Sequence, residues 1–289
     1  MKKILFALVI GSLLLIHPSV SKAAQSTEDF VEELQYSWFN GYTYDDHRLI
    51  QLNTSRPLEV VSIFKRENEY GYDYMIYVYE LKNGEWKVSY RRPVEYMTNL
   101  SFITKGRMGA TDKVLIGSYE GSGNFLDAYL IGSPNGRDIK LMQHKSSVFQ
   151  GGAWIIDGVL FYGSGSIVSQ KYRVQNGKVV SAGRASGRDD RLISKNPKIW
   201  LGLKMSGNRA VYVGKKTVYA KVGDRIGIGR YGVSDTRGYS YRLMSYDGSS
   251  VLSYDTVRPG MTAVKKGTAV LSLEPEAYGD AVEIKVIVR

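Results

Sequence analysis

The sequence predicts an all-β protein, in which an antiparallel β domain precedes a smaller C-terminal β-sandwich and one short helix lies near the N-terminus. Three observations support this fold class. Polar and apolar residues alternate with period two from about residue 56 onward, as is typical of half-buried strands. Asn83-Gly84 and Asn176-Gly177 lie between alternating runs, and Asn-Gly favours hairpin turns that need positive φ twice. A helical spacing of apolar residues occurs only in a short stretch near the N-terminus.

Residues 1–23 have the composition of a secretory signal peptide. Lys2 and Lys3 give a positive start, and the run Ile4–Ile16 is almost entirely apolar. This run suits the apolar core of a signal peptide and is short for a membrane span. Ser21-Lys22-Ala23 places small residues at the positions that a signal peptidase reads. We therefore expect cleavage after Ala23, a secreted protein and no membrane span in the mature chain; an uncleaved anchor is the alternative.

Residues 24–55 are predicted to form the helix and a linker. Ser26 is a good N-cap and is followed by acidic residues, which favour a helix start. Phe30, Leu34 and Trp38 recur every four residues, and we expect this stripe to pack on the β domain as core. Asn40-Gly41 is interpreted as the helix stop.

Residues 56–206 are predicted to form the antiparallel β domain. The alternating runs are rich in β-branched and aromatic residues and are separated by Gly, Asn, Asp or Ser. Short hairpins in succession leave three architectures open: a small propeller-like body, a barrel-like body or a sandwich. The predicted strands span 58–64, 72–81, 85–90, 99–104, 113–119, 125–131 and 139–142.

Residues 207–289 contain about seven short strand patterns, the signature of a small Greek-key sandwich. A Lys-Val-Gly-Asp phrase at 221–224 precedes Thr-Ala-Val-Lys-Lys-Gly-Thr-Ala at 262–269, and an alternating strand at 281–288 ends the chain. In this order, residues 212–289 resemble the bacterial immunoglobulin-like domain family, group two. The resemblance implies an Ig-like sandwich for spacing, adhesion or glycan contact, and it supplies no catalytic residue.

Catalytic and metal-binding patterns are weak, and we expect no metal and no cofactor. Cys is absent, and His47 and His144 are the histidines that follow the leader, so a zinc site would need ligands from distant positions. Because the chain has no Cys, the exported protein would contain no disulfides. This is typical of a bacterium that secretes proteins without disulfide-forming machinery.

Four short polar segments are interpreted as structural. Tyr44-Asp45-Asp46-His47 could orient a general base, but the simpler interpretation is a polar loop. Gly163–Ser166 and Gly121–Asn124 are expected to be turns, because no helix pattern follows a nucleophile or phosphate loop there. Asp189-Asp190 is expected to be a solvated pair, because no calcium-loop pattern surrounds it.

Charge and tyrosine content point to a partner class. The leader carries Lys2, Lys3 and Lys22, so its removal lowers the net charge from +11 to +8, which favours anionic wall polymers or glycans. Lipid headgroups and nucleic acid also fit this charge, with nucleic acid the less expected partner. Because no run of five or six like charges occurs, the alternative is that the basic surface only keeps the protein soluble.

The chain holds 22 Tyr, and we name Tyr72, Tyr74, Arg91 and Arg92 as candidate ligand-binding residues because aromatic rings with basic neighbours suit stacking on sugars. The alternative is that these Tyr residues simply favour strands.

The function expected from the sequence is that of a secreted or cell-wall-associated, non-catalytic binding protein for an anionic or glycan polymer. An extracellular wall-active hydrolase or an enzyme inhibitor is the first alternative, and a purely structural surface protein is the second. A carboxylate pair facing one groove would favour hydrolysis, whereas an aromatic and basic surface would favour binding.

Overall fold

The computed structural model describes residues 25–54, 57–207, 209–237, 241–247, 250–275 and 281–289. The predicted signal peptide and its cleavage site lie outside the described residues. Within those ranges, neither helix has the length and apolar character needed to cross a bilayer.

The structure confirms the all-β class with a short N-terminal helix. The helices are α1 (Thr27–Gln35) and α2 (Gly187–Ile193). Three antiparallel meanders form sheets A, B and C in chain order. Sheet A contains β1 (Trp38–Phe39), β2 (Tyr42–Ile50), β3 (Glu59–Asn68), β4 (Gly71–Lys82) and β5 (Glu85–Met97). Sheet B contains β6 (Leu100–Met108), β7 (Thr111–Glu120), β8 (Phe125–Gly132) and β9 (Lys140–Val148). Sheet C contains β10 (Gly151–Ile156), β11 (Val159–Ser164), β12 (Ile167–Gln175) and β13 (Lys178–Ser181).

The C-terminal part is a sandwich of sheets D and E. Sheet D has the order β15-β14-β17-β20-β19, and sheet E has the order β16-β22-β21-β18. In chain order these strands are β14 (Ile199–Ser206), β15 (Arg209–Val213), β16 (Thr217–Ala220), β17 (Arg225–Arg230), β18 (Tyr241–Asp247), β19 (Leu252–Tyr254), β20 (Met261–Ala263), β21 (Gly267–Pro275) and β22 (Val282–Val288).

Sheets A, B and C pack face to face in a stack. Alternate residues of β7 point to opposite faces: Val114 and Ile116 join the core shared with sheet A, and Leu115 joins the core shared with sheet C. Sheet B is therefore buried on both sides, which explains the nearly continuous apolar run in β7. The β domain is thus a stack of three antiparallel meander sheets.

Each predicted strand of the β domain is confirmed, but both domain boundaries differ from the structure. Strands β1 and β2 lie before residue 56 and are part of sheet A. Strand β14 lies before residue 207, yet it pairs with β15 and β17 of the sandwich. A strand pattern alone does not state which sheet a strand joins, because this depends on pairing with distant residues.

The helix pattern is only partly confirmed. Phe30 and Leu34 are buried against sheet A, as expected. Trp38 is wrongly placed in the stripe: it lies in β1 and is 73% exposed. Asn40-Gly41 is the β1–β2 hairpin turn, with φ of 51° and 83°, because Asn-Gly fits two positive φ angles as well as it fits a helix end.

The interpretation of Tyr44–His47 as a loop is wrong, because the segment lies within β2. The register with β3 shifts between Tyr44 and Asp46, and this bulge brings residues three apart to one side of the strand. The Tyr44 hydroxyl then lies 2.6 Å from Nδ1 of His47. Burial lowers the pKa of His47, and the nearby Asp46 carboxylate opposes this shift.

Candidate functional site

Helix α2 joins the β domain to the sandwich through a buried ion pair. Asp190 is completely buried, and its carboxylate accepts hydrogen bonds from Nη2 and Nε of Arg230 at 2.7 and 2.8 Å and from the Val168 N–H at 2.9 Å. Arg230 is 2% exposed and also donates to the carbonyls of Ala185 and Val168. The pair thereby ties β12, α2 and β17 together.

The prediction of a solvated Asp189-Asp190 pair is therefore wrong. Asp189 bonds the amine of Lys171 at 3.0 Å and accepts the Ser186 N–H at the start of α2. Burial raises the pKa of Asp190, and the Arg230 guanidinium opposes that effect. Sequence reasoning missed this role because the partner is 40 residues away.

Glycines allow α2 to lie directly on β17. A Cβ at Gly187 would come within 2.2 Å of the Gly232 carbonyl oxygen, and one at Gly229 would lie 3.0 Å from Cβ of Asp190. Because these neighbours are backbone or buried atoms, a larger residue at either position would push α2 away from β17. The close packing sets the position of the cleft described next.

A cleft of about 570 Å³ opens beside this junction. That size is within the usual range for small-ligand pockets. Its walls come from the end of β9, the β11–β12 turn, the chain before α2 and the segment after β17. The lining residues are Lys145, Ser146, Ser147, Val148, Phe149, Gly163, Ser164, Ile167, Val168, Ser169, Gln170, Arg184, Ala185, Arg230 and Thr236.

The lining of this basic cleft is positively charged. It contains Lys145, Arg184 and Arg230 and, among the described residues, no Asp or Glu. The Asp190 carboxylate neutralises the charge of Arg230. Within the described part of the chain, Lys145 and Arg184 have no ion pair, and both side chains reach solvent at least in part. Two uncompensated cations in a concave wall concentrate anions there.

Hydroxyl and amide groups supply additional hydrogen-bonding capacity. The Ser164 Oγ is buried at the cleft wall and has no hydrogen-bond partner among the described residues. The register between β11 and β12 shifts at Gly163, where a Cβ would come within 2.2 Å of the Ile167 carbonyl oxygen. This tight turn fixes Ser164 at the wall. A buried hydroxyl without a partner is uncommon and is available to a ligand.

An aromatic ring lies at the rim of the cleft. Phe149 is 47% exposed, and its ring centroid lies 5.4 Å from that of Phe125 in a tilted pair. Phe125 is 38% exposed. A partly exposed aromatic pair beside cations and hydroxyls suits the apolar face of a sugar ring.

The four candidate residues predicted from the sequence do not form one open surface. Tyr74 is 2% exposed in the core between sheets A and B, so a ligand cannot stack on it. Arg92 lies over the Tyr129 ring at 4.8 Å, whereas Arg91 is exposed on the other face of β5. Tyr72 is half-buried, with its ring centroid 6.0 Å from that of Tyr74.

The residues of the basic cleft were not predicted as a site. Gly163–Ser166 was predicted as a turn, and the structure confirms a turn between β11 and β12. Arg184 was not among the candidate residues named from the sequence. Among the described residues, the Ser164 hydroxyl without a partner and the cations without ion pairs are recognised only when the four wall segments are assembled. Among the described residues, no group of three or more His, Asp or Glu lies close enough to hold a metal ion.

Comparisons with known proteins identify no family. No family model matches the chain, and no curated protein matches it. A structure of Drosophila Semaphorin 2a aligns with 86% of this chain and 54% of that chain, at 9% identity and a TM-score of 0.22. The chain thus spans about half the length of that protein. A similarity of this size supports no conclusion about fold or function.

Proposed function

We propose that this chain is a secreted, non-catalytic protein that binds an anionic glycan, such as an anionic cell-wall polymer, in the basic cleft. The observation that carries the proposal is the lining: within the described part of the chain, Lys145 and Arg184 lack ion-pair partners and the lining contains no carboxylate. An anion in the cleft gains two charge-assisted contacts without displacing an internal partner.

Glycan recognition is supported by the other lining groups. Ser164 offers a hydroxyl that has no partner among the residues the structure describes, and Phe149 offers an exposed ring at the rim. The phosphates or carboxylates of such a polymer need charged donors, and its sugar hydroxyls need neutral hydrogen-bonding groups. The face of a sugar ring needs an apolar surface. The net charge of +8 expected after leader removal raises the rate of encounter with a polyanion.

The C-terminal sandwich supports a surface role in this proposal. Its resemblance to the bacterial immunoglobulin-like family implies a spacing or adhesive module. The sandwich contributes Arg230 and Thr236 to the lining, so it also helps to build the binding surface.

The test is sedimentation of the purified mature protein with isolated bacterial cell walls, before and after removal of their anionic polymers and over a salt series. The double variant Lys145→Gln/Arg184→Gln should reduce binding about tenfold or more, because each charged contact contributes about 1 kcal/mol or more. The matched control is Lys215→Gln/Lys216→Gln, which removes the same charge from exposed positions outside the cleft.

Equal losses in the two double variants would show that net charge alone retains the protein and would reject the cleft as the site. No sedimentation with untreated walls at low salt would reject the wall polymer as ligand. Binding that survives the removal of anionic polymers would reject the anionic part of the proposal.

A further inference from the structure

A cavity of about 320 Å³ lies next to the basic cleft and has different chemistry. It is formed by β10, the end of β7 and the loop between β19 and β20. Its aromatic residues are Tyr119, Trp154 and Tyr254, and Gln150 and Thr256 add an amide and a hydroxyl. We call it the aromatic cavity.

Trp154 is held in a fixed position in the wall of the aromatic cavity. Its indole N–H donates to the Val257 carbonyl at 3.1 Å, which joins β10 to the sandwich. Gly152, two residues before it, makes room for the ring, because a Cβ there would lie 2.5 Å from Cη2 of Trp154. The indole is 8% exposed, so it forms a rigid wall rather than a mobile side chain.

The charged groups near the aromatic cavity are already used by the protein. Burial raises the pKa of Asp255, but hydrogen bonds from Lys195 and from the Arg258 and Val257 N–H groups outweigh this and hold the pKa well below its usual range. Arg225 pairs with the same carboxylate at 3.0 Å. The Arg258 guanidinium donates to the carbonyls of Ile193 and Leu192.

The side chains of the aromatic cavity that remain available to a ligand are therefore uncharged. Tyr254 is 51% exposed and Tyr119 is 38% exposed. Exposed phenol rings with an amide and a hydroxyl nearby suit an uncharged sugar unit, since aromatic rings offer an apolar face and a polar edge.

The basic cleft and the aromatic cavity touch at two points along the chain. Phe149 lines the cleft and Gln150 lines the aromatic cavity, and Ser164 and Gly165 are divided in the same way. Consecutive Cα atoms are about 3.8 Å apart, so only one residue's width separates the two sites at each crossing. The second subsite proposed below requires that one polymer chain reach from one to the other.

We infer that the aromatic cavity is a second subsite, which binds an uncharged sugar unit of the same polymer whose anionic unit occupies the basic cleft. This inference rests on the proposed function, and it specifies the ligand as a glycan that has both charged and uncharged units. A free anion or a monosaccharide fills only one subsite.

The test uses hyaluronan oligosaccharides of increasing length from the disaccharide upward, because they alternate a carboxylate-bearing unit with an uncharged one. Titration calorimetry on the mature protein should show an affinity gain of about tenfold or more at the length that first spans both subsites, as expected for stacking on an aromatic ring. Tyr254→Ala should remove this gain and leave the affinity for the shortest binding oligomer unchanged. Tyr36→Ala, at an 83% exposed ring outside both cavities, is the matched control and should keep the gain.

The outcomes separate the two proposals. Binding that depends on Lys145 and Arg184 but does not increase with length, or that increases equally in Tyr254→Ala, overturns the second subsite and leaves the proposed function standing. No binding of hyaluronan at any length overturns the second subsite, and if Lys145→Gln/Arg184→Gln also leaves wall sedimentation unchanged, the proposed function is overturned as well. Retained secondary structure and an unchanged unfolding midpoint in Tyr254→Ala establish that the variant is folded.

Discussion

Arg230 and Asp190 form an ion pair at the centre of the junction between the β domain and the sandwich, with Nη2 and Oδ1 2.7 Å apart and both side chains at most 2% exposed. The pair also occupies the N–H of Val168 and the carbonyl of Ala185. It positions β12 against β17, and these two strands contribute walls of the basic cleft.

Removing one partner of this pair should be strongly destabilising. Arg230→Met leaves the Asp190 carboxylate buried without its cation, which costs about 3–5 kcal/mol of unfolding free energy in such sites. The double variant Asp190→Asn/Arg230→Met should lose less than Arg230→Met alone. Urea unfolding followed by circular dichroism measures both.

The control for this prediction is an exposed ion pair. Lys198 and Asp224 are 2.8 Å apart, but the Lys198 side chain is 64% exposed, so Lys198→Met should cost less than about 1 kcal/mol. Similar losses at Lys198 and Arg230 would contradict the structural role assigned to the buried pair.

Lys113 should make stability increase with pH in the mildly alkaline range. The residue is 1% exposed, and its amine donates to Thr111 Oγ1 at 2.6 Å and to two backbone carbonyls. Burial lowers its pKa to about 8 from the usual 10.5. Between these values the unfolded chain binds more protons than the folded one, so the free energy of unfolding rises as pH increases.

From about pH 8 to pH 9.5 the gain from Lys113 should be on the order of 1–2 kcal/mol. Lys113→Met should remove this gain, and urea titrations at several pH values measure it. Buried tyrosines such as Tyr79, whose pKa is raised by burial, oppose the effect only above about pH 10. The same pH slope in Lys113→Met and the parent protein would exclude Lys113 as the origin.

Gly163→Ala should disturb both the fold and the basic cleft. The new Cβ would lie 2.2 Å from the Ile167 carbonyl oxygen, and a backbone atom cannot move aside without opening the β11–β12 turn. We expect a loss of about 1–3 kcal/mol in unfolding free energy and weaker binding of anionic glycan.

Gly232→Ala is the matched control for Gly163→Ala, because the nearest atoms to a Cβ there are 3.9 Å away. It should leave both stability and binding near those of the parent. Thermal unfolding and the wall-sedimentation assay check the two variants together. Full stability in Gly163→Ala would show that the turn adapts to a side chain.

Ser164→Ala should separate binding from stability. The Ser164 Oγ has no partner among the described residues, so its removal should leave the stability of the free protein unchanged or slightly raised. If a ligand uses this hydroxyl, affinity should fall about five- to tenfold.

Ser169→Ala is the comparison, because the Ser169 hydroxyl lines the same cleft but donates to the Tyr162 carbonyl at 3.1 Å. That variant should lose about 1 kcal/mol of stability. Unchanged affinity in Ser164→Ala would remove this hydroxyl from the binding surface.

Local sequence patterns predicted much of the fold. Period-two runs located the strands from β3 to β9, since alternation with one buried face is a property of the strand itself. Asn83-Gly84 and Asn176-Gly177 located hairpin turns for an equally local reason: their φ values of 49–80° are the positive angles that Asn-Gly adopts readily. Asn40-Gly41 shows the limit of such a signal, because the same dipeptide serves a hairpin or a helix end.

The candidate site was decided by the tertiary structure. Tyr74 is of a residue type that often binds ligands, but the packing of sheet A on sheet B buries it. Asp190 is of a residue type that usually lies at the surface, but here it is buried in the junction as the ion-pair partner of Arg230. The sequence by itself determined the strands, turns and net charge, because these depend on each residue and its near neighbours. Only the tertiary structure decided which cations and which hydroxyl lack partners among the described residues. The physical reason is that the walls of the basic cleft come from segments around residues 145, 164, 184 and 230, which meet only after three sheets have packed.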